Sequence, residues 1–171
     1  LGGGYVGNVV RWEKRLLPAA TWTSITNTTT VYSESPSVGG TWEYRAVVGS
    51  GSCATVYSSV KQVVVNPELT IALTNSNATI CQTTTTASFA YSSTTGSPAG
   101  WIVNFNSAAI SAGFSSPQNN SISGTSGTIT VNVPGSVATG VYNATLTVIT
   151  YSPACSSVSY PITVTVGVST P

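Results

Sequence analysis

The charged residues of this chain are confined to its first part. From Leu69 to Pro171 there is no Asp, Glu, Lys, Arg or His, and charged residues make up only 5% of the sequence, against about 25% in soluble domains. Ser, Thr and β-branched residues take their place, and they favour pleated surfaces over helices. The charge break therefore predicts a β-rich second domain and a boundary at 66–68, where Pro67 stiffens the junction. The charged residues are Arg11, Glu13, Lys14, Arg15, Glu34, Glu43, Arg45, Lys61 and Glu68.

The first part alternates apolar and polar residues in short runs, a pattern typical of strands. We expect strands at 8–13, 21–25, 28–33, 41–48 and 55–65. Because every second side chain of such a strand faces the core, the phase assigns Trp12, Trp42 and Tyr44 to the core. The same phase places Glu13 and Glu43 on the solvent face, where we expect weak cross-strand ion pairs with neighbouring arginines.

The second part repeats this organisation with different residues. We expect strands at 69–74, 86–91, 101–105, 127–133, 140–150 and 157–166, separated by clusters of Gly, Ser, Pro and Asn. Trp101 begins the third of these strands and is assigned to the core. Many short strands with turns between them favour an antiparallel sandwich over a parallel sheet. The predicted fold is therefore all-β, with two tandem immunoglobulin-like β-sandwiches at 1–67 and 68–171. The first shows only about five strands where such a sandwich needs about seven, so we expect it to lack its early strands.

The composition argues against catalysis and against several classes of partner. The chain has no histidine and no aspartate, so it offers neither a catalytic triad nor acid–base chemistry near neutral pH. Three cysteines without histidine do not match a zinc site, and the second part has no carboxylate for calcium. A net charge of +1 gives no basic field for nucleic acid, and no apolar run is long enough to span a membrane. We expect a non-enzymatic protein without cofactor or metal.

One tryptophan is a candidate for ligand contact. Trp22 lies on a short strand after a proline-containing loop, so it is the tryptophan most open to stacking on a sugar ring. This hypothesis makes the chain a carbohydrate-binding module with surface glycans as partners.

The segments "GNVVRWEK", "TWTSI", "WEYRAVVGSGSC" and "VVVNP" resemble a repeat found in very large secreted surface proteins of Bacteroidota, including gliding-motility adhesins. The resemblance covers roughly residues 5–67. The second part is similar, more loosely, to the PKD-like modules that often neighbour these repeats, in "TICQ", "GVYNATLTV" and "ITVTV". The resemblance of the two parts implies immunoglobulin-like folds, an extracellular location, export by type IX secretion and neighbouring repeat modules as partners.

The resemblance also bears on Cys53, which follows a Gly-Ser turn. In the related modules the turn cysteine is bridged to a cysteine in an early strand, which here would precede Leu1. Cys53 is therefore expected to be unpaired within this chain or bridged to another module or chain. The alternative is a buried free thiol that behaves as a small hydrophobe.

The other two cysteines are a candidate disulfide. Cys81 lies near the start of the second part, and Cys155 lies in the turn before the last predicted strand. An early strand and that turn can lie at the same end of a sandwich, and a bridge would stabilise a domain with a modest core. We therefore expect a disulfide between Cys81 and Cys155, with two unrelated buried thiols as the alternative.

Three functions remain open from the sequence. The leading one is a structural or adhesive repeat segment, acting as a rigid stalk or surface adhesin. The second is a filament subunit assembled with identical subunits by strand donation, in which the donor is Thr163, Val164, Thr165 and Val166 of the alternating C-terminal tail. The third is the carbohydrate-binding module with Trp22 at its site.

Overall fold

Residues 7–168 are described by a computed structural model, and strands make up nearly all of their regular structure. The chain divides into two compact units, 1–67 and 68–171. The helix α1 (Ser107–Ser111) is five residues long. No helix in the described part of the chain has the length and hydropathy to cross a bilayer. The all-β fold class predicted from the sequence is confirmed.

The first unit contains one antiparallel sheet among its described residues. Its strands are β1 (Asn8–Leu16), β2 (Thr23–Ile25), β3 (Gly40–Gly49), β4 (Val56–Tyr57) and β5 (Lys61–Val65). The order is β2-β1-β3, and β4 and β5 both pair with the other side of β3. Ser58 separates β4 from β5, because its N–H donates to Ala46 O and its Oγ accepts from Ala46 N, each at 2.9 Å.

An irregular segment forms the second layer of the first unit. Where the sequence predicts a strand at 28–33, the structure has no regular element from residue 26 to residue 39. Two indoles of the sheet hold this segment, since Trp12 Nε1 donates to Thr29 O at 2.9 Å and Trp42 Nε1 donates to Val38 O at 3.0 Å. The backbone of the segment is thus bound by side chains rather than by a neighbouring strand.

The second unit is a sandwich of two sheets. Its strands are β6 (Thr70–Leu73), β7 (Asn77–Cys81), β8 (Thr86–Thr95), β9 (Gly100–Phe105), β10 (Gln118–Ser121), β11 (Gly127–Asn132), β12 (Gly140–Tyr151), β13 (Ala154–Ser156) and β14 (Tyr160–Gly167). One sheet has the order β10-β9-β12-β14-β7 with β13 paired to β12, and the other has the order β11-β8-β6.

The core of the second unit is made by alternate residues of the two sheets. Trp101 is 5% exposed and belongs to this core. With no charged side chain from Leu69 onward, apolar burial and backbone ladders hold the unit together. The largest fully buried side chains of the unit are Phe89, Val103, Ile129, Val131, Leu146, Val148, Ile162 and Val164.

The last strand of the second unit is paired on both sides. β14 is antiparallel to β12 and parallel to β7, from Thr163 opposite Asn77 to Gly167 opposite Cys81. Thr163 N donates to Ser76 O at 2.8 Å, so odd-numbered residues of β14 direct their N–H groups toward β7. An N–H group at an odd-numbered position points away from β12, so the missing N–H of Pro161 removes no bond to β12. Pro161 also precedes the first residue of the ladder with β7.

This pairing bears on the predicted strand donor. The backbone groups of Thr163, Val164, Thr165 and Val166 are engaged with β12 and β7 inside the unit. Donation to a neighbouring chain would first have to release this pairing, and the strand-donor hypothesis stays a prediction. Residues 169–171 of the same tail lie outside the described residues.

The predicted disulfide is wrong. Cys81 lies opposite Gly167 of β14, at the Gly140 end of β12, whereas Cys155 lies opposite Thr150 near the other end of that strand. Residues 140 and 150 are ten positions apart along β12, which at about 3.3 Å per residue separates the cysteines by roughly 30 Å. A disulfide needs Cα atoms closer than about 7 Å. Cys81 and Cys155 are both free and exposed, so the alternative of buried thiols is wrong as well.

Replacing Leu146 by Ala tests the core. Leu146 is fully buried, so Leu146→Ala should lower the free energy of unfolding of the second unit by about 2–5 kcal/mol. The measurement is urea unfolding followed by the indole N–H signal of Trp101. The control is Val141→Ala on the same strand, where the valine is 63% exposed and the expected change is within about 0.5 kcal/mol. Equal losses in the two variants would contradict the assigned strand phase.

Thiol mapping tests the cysteines. Because Cys53, Cys81 and Cys155 are all exposed and free, maleimide should modify all three in the native protein. Peptide mapping without reductant should find no link between Cys81 and Cys155. Recovery of that linked peptide from freshly purified protein would show that the register of β12 is misassigned.

Candidate functional site

One face of the first sheet carries a network of ion pairs. Glu13 lies 2.7 Å from both Arg11 Nη2 and Arg45 Nη2. Glu43 pairs with Arg15 at 2.6 Å and accepts from Gln62 Nε2 at 2.8 Å. The two glutamates are only 5% and 7% exposed. The ion pairs predicted from the sequence therefore exist, but both carboxylates are buried and the partner of Glu43 is Arg15.

Trp22 and Tyr57 cover the arginines of this network. The guanidinium carbon of Arg45 lies 4.1 Å from the centroid of the Trp22 ring and 3.9 Å from that of Tyr57. Arg15 lies 4.6 Å from the same Trp22 ring. These are cation–π distances. Trp22 is half-buried and its ring is stacked on two guanidinium groups; its contact with a sugar ring stays a prediction.

The network holds its carboxylates ionised. Burial raises the pKa of Glu13, but the hydrogen bonds and charges of Arg11 and Arg45 outweigh burial and lower it below the usual value. The hydrogen bonds from Gln62 and Arg15 lower the pKa of Glu43. An acid–base catalyst needs a pKa near the working pH, so these groups suit a structural role.

The other face of the sheet carries a row of aromatic rings. Tyr32, from the segment 26–39, lies between Trp12 and Tyr44, with ring centroids 6.0 Å and 6.3 Å away. Trp42 stacks on Tyr44 at 6.5 Å. Trp12, Trp42 and Tyr44 are half-buried, which corrects their assignment to a closed core. They lie between the sheet and the irregular segment, and this layer is open to solvent in places.

Glu34 is the centre of this aromatic face. Its carboxylate pairs with Lys14 Nζ at 2.6 Å and accepts hydrogen bonds from the hydroxyls of Tyr32, at 2.7 Å, and Tyr44. Burial raises the pKa of Glu34, but these three donors outweigh burial and lower it to about 2. The bond to Glu34 raises the pKa of Tyr32 to about 12. Burial and the same carboxylate raise the pKa of Tyr44.

A cleft of about 330 Å³ opens beside this cluster. We call it the aromatic cleft; it is lined by Trp12, Tyr32, Ser33, Glu34, Pro36, Tyr44, Lys61 and Val63. Tyr32 and Glu34 were not predicted as site residues, because a residue in an irregular segment has no strand phase to place it. The one available signal was an isolated acid in a Ser- and Pro-rich stretch of a nearly uncharged chain.

The second unit has a shallower depression on the outer face of its larger sheet. It measures about 440 Å³ and includes Asn104, Asn143, Thr145 and Thr163. It has no titratable lining residue. Among residues 7–168, no three His, Cys, Asp or Glu side chains come together as metal ligands would. The aromatic cleft is therefore the candidate binding site.

Comparison with known proteins gives a match for the first unit. Residues 1–67 match the model of a family described as a domain of unknown function (DUF8696). No curated protein shows significant similarity to the chain. The origin implied by the Bacteroidota resemblance stays a prediction.

Two solved structures are distantly similar. The chicken CNTN1 FN1–FN3 domains are 10% identical with a TM-score of 0.41, covering 94% of this chain and 58% of that one. The fibronectin(III)-like modules of Clostridium thermocellum CbhA are 12% identical with a TM-score of 0.34, covering 96% and 82%. The chain thus spans 58% of the length of the CNTN1 structure.

Acidification tests the Glu34 cluster. The pKa of Glu34 is lowered from 4.5 to about 2 in the folded protein. Its contribution to stability is therefore complete above pH 4.5 and is lost as the pH falls toward 2, by an amount on the order of 2–3 kcal/mol. We expect the first unit to lose stability over this range, measured by urea unfolding with the indole signals of Trp12 and Trp42.

Matched variants separate Glu34 from the other acids. Glu34→Gln should be less stable at neutral pH and should show a weaker pH dependence between 4.5 and 2, because only Glu13 and Glu43 then retain lowered pKa values. Glu68→Gln is the control, since Glu68 is exposed and should leave the profile unchanged. An unaltered profile in Glu34→Gln would refute the role of this carboxylate.

Proposed function

We propose that the chain is a non-enzymatic structural segment of an extracellular surface protein, acting in a stalk or adhesin whose second unit bears tension. Neighbouring modules of the same protein are its expected partners. Three features of the described residues support this function: the pairing of the terminal strand, the uncharged second unit and the engagement of the carboxylates.

The parallel pairing of β14 with β7 is the observation that carries the proposal. β7 lies near the start of the second unit and β14 at its end. Once β6 has separated from β8, tension applied to the two ends reaches β7 from its Asn77 side and β14 from its Gly167 side, which are opposite ends of the ladder. The force then acts along the strands and loads the hydrogen bonds together. An antiparallel hairpin pulled at its two ends would open one bond at a time.

The uncharged second unit suits an exposed position. Its core is apolar, and after Glu68, its first residue, it contains no side chain of Asp, Glu, Lys, Arg or His. Its packing therefore depends little on salt concentration or on pH near neutrality. A segment outside the cell, where both conditions vary, benefits from this independence.

The engaged carboxylates support a non-enzymatic function. Glu13, Glu34 and Glu43 are each held in an ion pair, with pKa values lowered. The chain has no histidine to serve as a base near neutral pH. These residues act in packing the first unit.

Single-molecule pulling tests the load-bearing role. Thr165→Pro removes an N–H that the ladder phase directs toward β7, while its side chain lies outside the apolar core. We expect the second unit of this variant to unfold at a lower force, and about 5-fold faster at constant force, since one hydrogen bond contributes about 1 kcal/mol.

Thr79→Pro is the matched control. Gln82 N donates to Gly167 O at 2.9 Å, so even-numbered residues of β7 bond to β14 and the N–H of Thr79 points to the open side of this edge strand. Its unfolding force should match that of the unaltered protein. Equal weakening by both variants, or no mechanical resistance in the unaltered second unit, would overturn the proposal.

A further inference from the structure

We propose that the first unit binds an extended peptide segment of a partner protein that carries an acidic residue. The segment adds as a strand to the free side of β5, which we call the β5 edge, and directs alternate side chains toward the aromatic cleft. This binding goes beyond the load-bearing role, and it does not depend on that role because the ladder of β7 and β14 lies in the second unit.

The β5 edge is open to strand addition. β5 pairs with β3 through one side, and no strand among residues 7–168 pairs with its other side. Val63 and Val64 are 45% and 68% exposed. Edge strands are commonly protected by charges, bulges or prolines within them. β5 has one charge, at its first residue, and its proline, Pro67, follows the strand.

The apolar surface continues beyond β5. Val60 is 42% exposed, and Val56 and Tyr57 of β4 are 59% and 54% exposed. Both short strands follow the same side of β3. A peptide running beside them would cover this apolar surface while its backbone pairs with β5.

The aromatic cleft lies beside this edge. Lys61 and Val63 are alternate residues of β5, so they face the same side of the sheet, and both line the cleft. Side chains of an added strand that face this side would lie next to them. Strand addition of this kind gains affinity from main-chain hydrogen bonds and specificity from pockets for alternate side chains.

Charge complementarity identifies the occupant. Arg11, Lys14, Arg15 and Arg45 each lie within 2.7 Å of a glutamate oxygen. Lys61 is the remaining cation of the chain, and within the described residues no carboxylate pairs with its ammonium group. Lys61 is exposed at the cleft. A carboxylate on the added strand would therefore pair with the ammonium group of Lys61.

The polar groups of the cleft favour a peptide over a sugar. The hydroxyls of Tyr32 and Tyr44 both donate to Glu34, whose carboxylate also binds Lys14. The rest of the lining is mainly aromatic rings, Pro36 and Val63. A sugar ring would bury several hydroxyls with few partners, which is costly. In a peptide that carries an apolar side chain beside a carboxylate, the apolar group would contact the aromatic rings and the carboxylate would pair with Lys61.

Titration of the full chain with three synthetic peptides tests the proposal. The first is a blocked seven-residue peptide of alternating threonine and valine with glutamate at its centre. The second has lysine in place of glutamate, and the third has the first sequence with alternate backbone amides methylated. Binding is followed by the amide signals of residues 61–65 in heteronuclear NMR. We expect the glutamate peptide to bind about 5-fold or more tightly than the lysine peptide. The methylated peptide should not bind.

Protein variants locate the site and its charge preference. Lys61→Glu should reverse the preference between the glutamate and lysine peptides. Val64→Lys should abolish binding, because a lysine on the edge disfavours strand addition. Val141→Lys is the control, since Val141 is 63% exposed but belongs to the second unit rather than to the β5 edge, and it should bind as the unaltered chain does.

Several outcomes would overturn the inference. Equal binding of all three peptides would show unspecific apolar contact, and equal losses in Val64→Lys and Val141→Lys would place the site elsewhere. A uronic-acid oligosaccharide that shifts the cleft signals where the glutamate peptide does not would make the ligand a glycan. Concentration-dependent dimerisation that Val64→Lys prevents, without peptide binding, would make the occupant a second copy of the chain.

Discussion

The register of β1 against β3 is the constraint on which the first unit depends. It places Glu13 opposite Arg45 and Arg15 opposite Glu43 on one face of the sheet, while the aromatic rings lie on the other. The two faces are covered in different ways. Trp22 covers the charged face through cation–π contacts, and an irregular segment covers the aromatic face. A register shift by one residue would exchange the two faces and leave buried carboxylates against indoles. The ion pairs therefore help to specify the register of the sheet, although each pair contributes little to the free energy of unfolding.

The second unit is stabilised by different means. It has no ion pairs to specify its register, so alternation of apolar residues and backbone ladders take that role. One buried polar group assists. Gln118 of β10 accepts from Asn132 N at 2.7 Å and donates to Asn132 O at 2.9 Å, and in doing so it joins the two sheets at one side of the sandwich. Being fully bonded, this amide can be buried without a large penalty, and it gives the contact a direction that apolar packing lacks.

The two units therefore differ in what they can offer a partner. The second has a closed core and a terminal strand held on both sides, which suits mechanical loading. The first has a partly open aromatic layer and an unpaired apolar strand, which suits contact with another molecule. Its dependence on ionised glutamates also makes it the more sensitive unit to acid. In our two proposals, bearing load and making contact therefore belong to separate parts of one chain.

The sequence by itself determined the all-β class and most of the long strands, because period-two alternation is local and reports which side chains share a face. It also identified the ion pairs of Glu13 and the burial of Trp101. Tertiary structure alone decided which faces are closed, since alternation cannot tell a covered face from an exposed one: Glu13 is buried, Trp12 is half open, and Trp22 is taken up by arginines. Strand order likewise decides the separation of Cys81 from Cys155 and the pairing of β14. That order is set by pairing between residues distant in sequence, and no short sequence pattern encodes it.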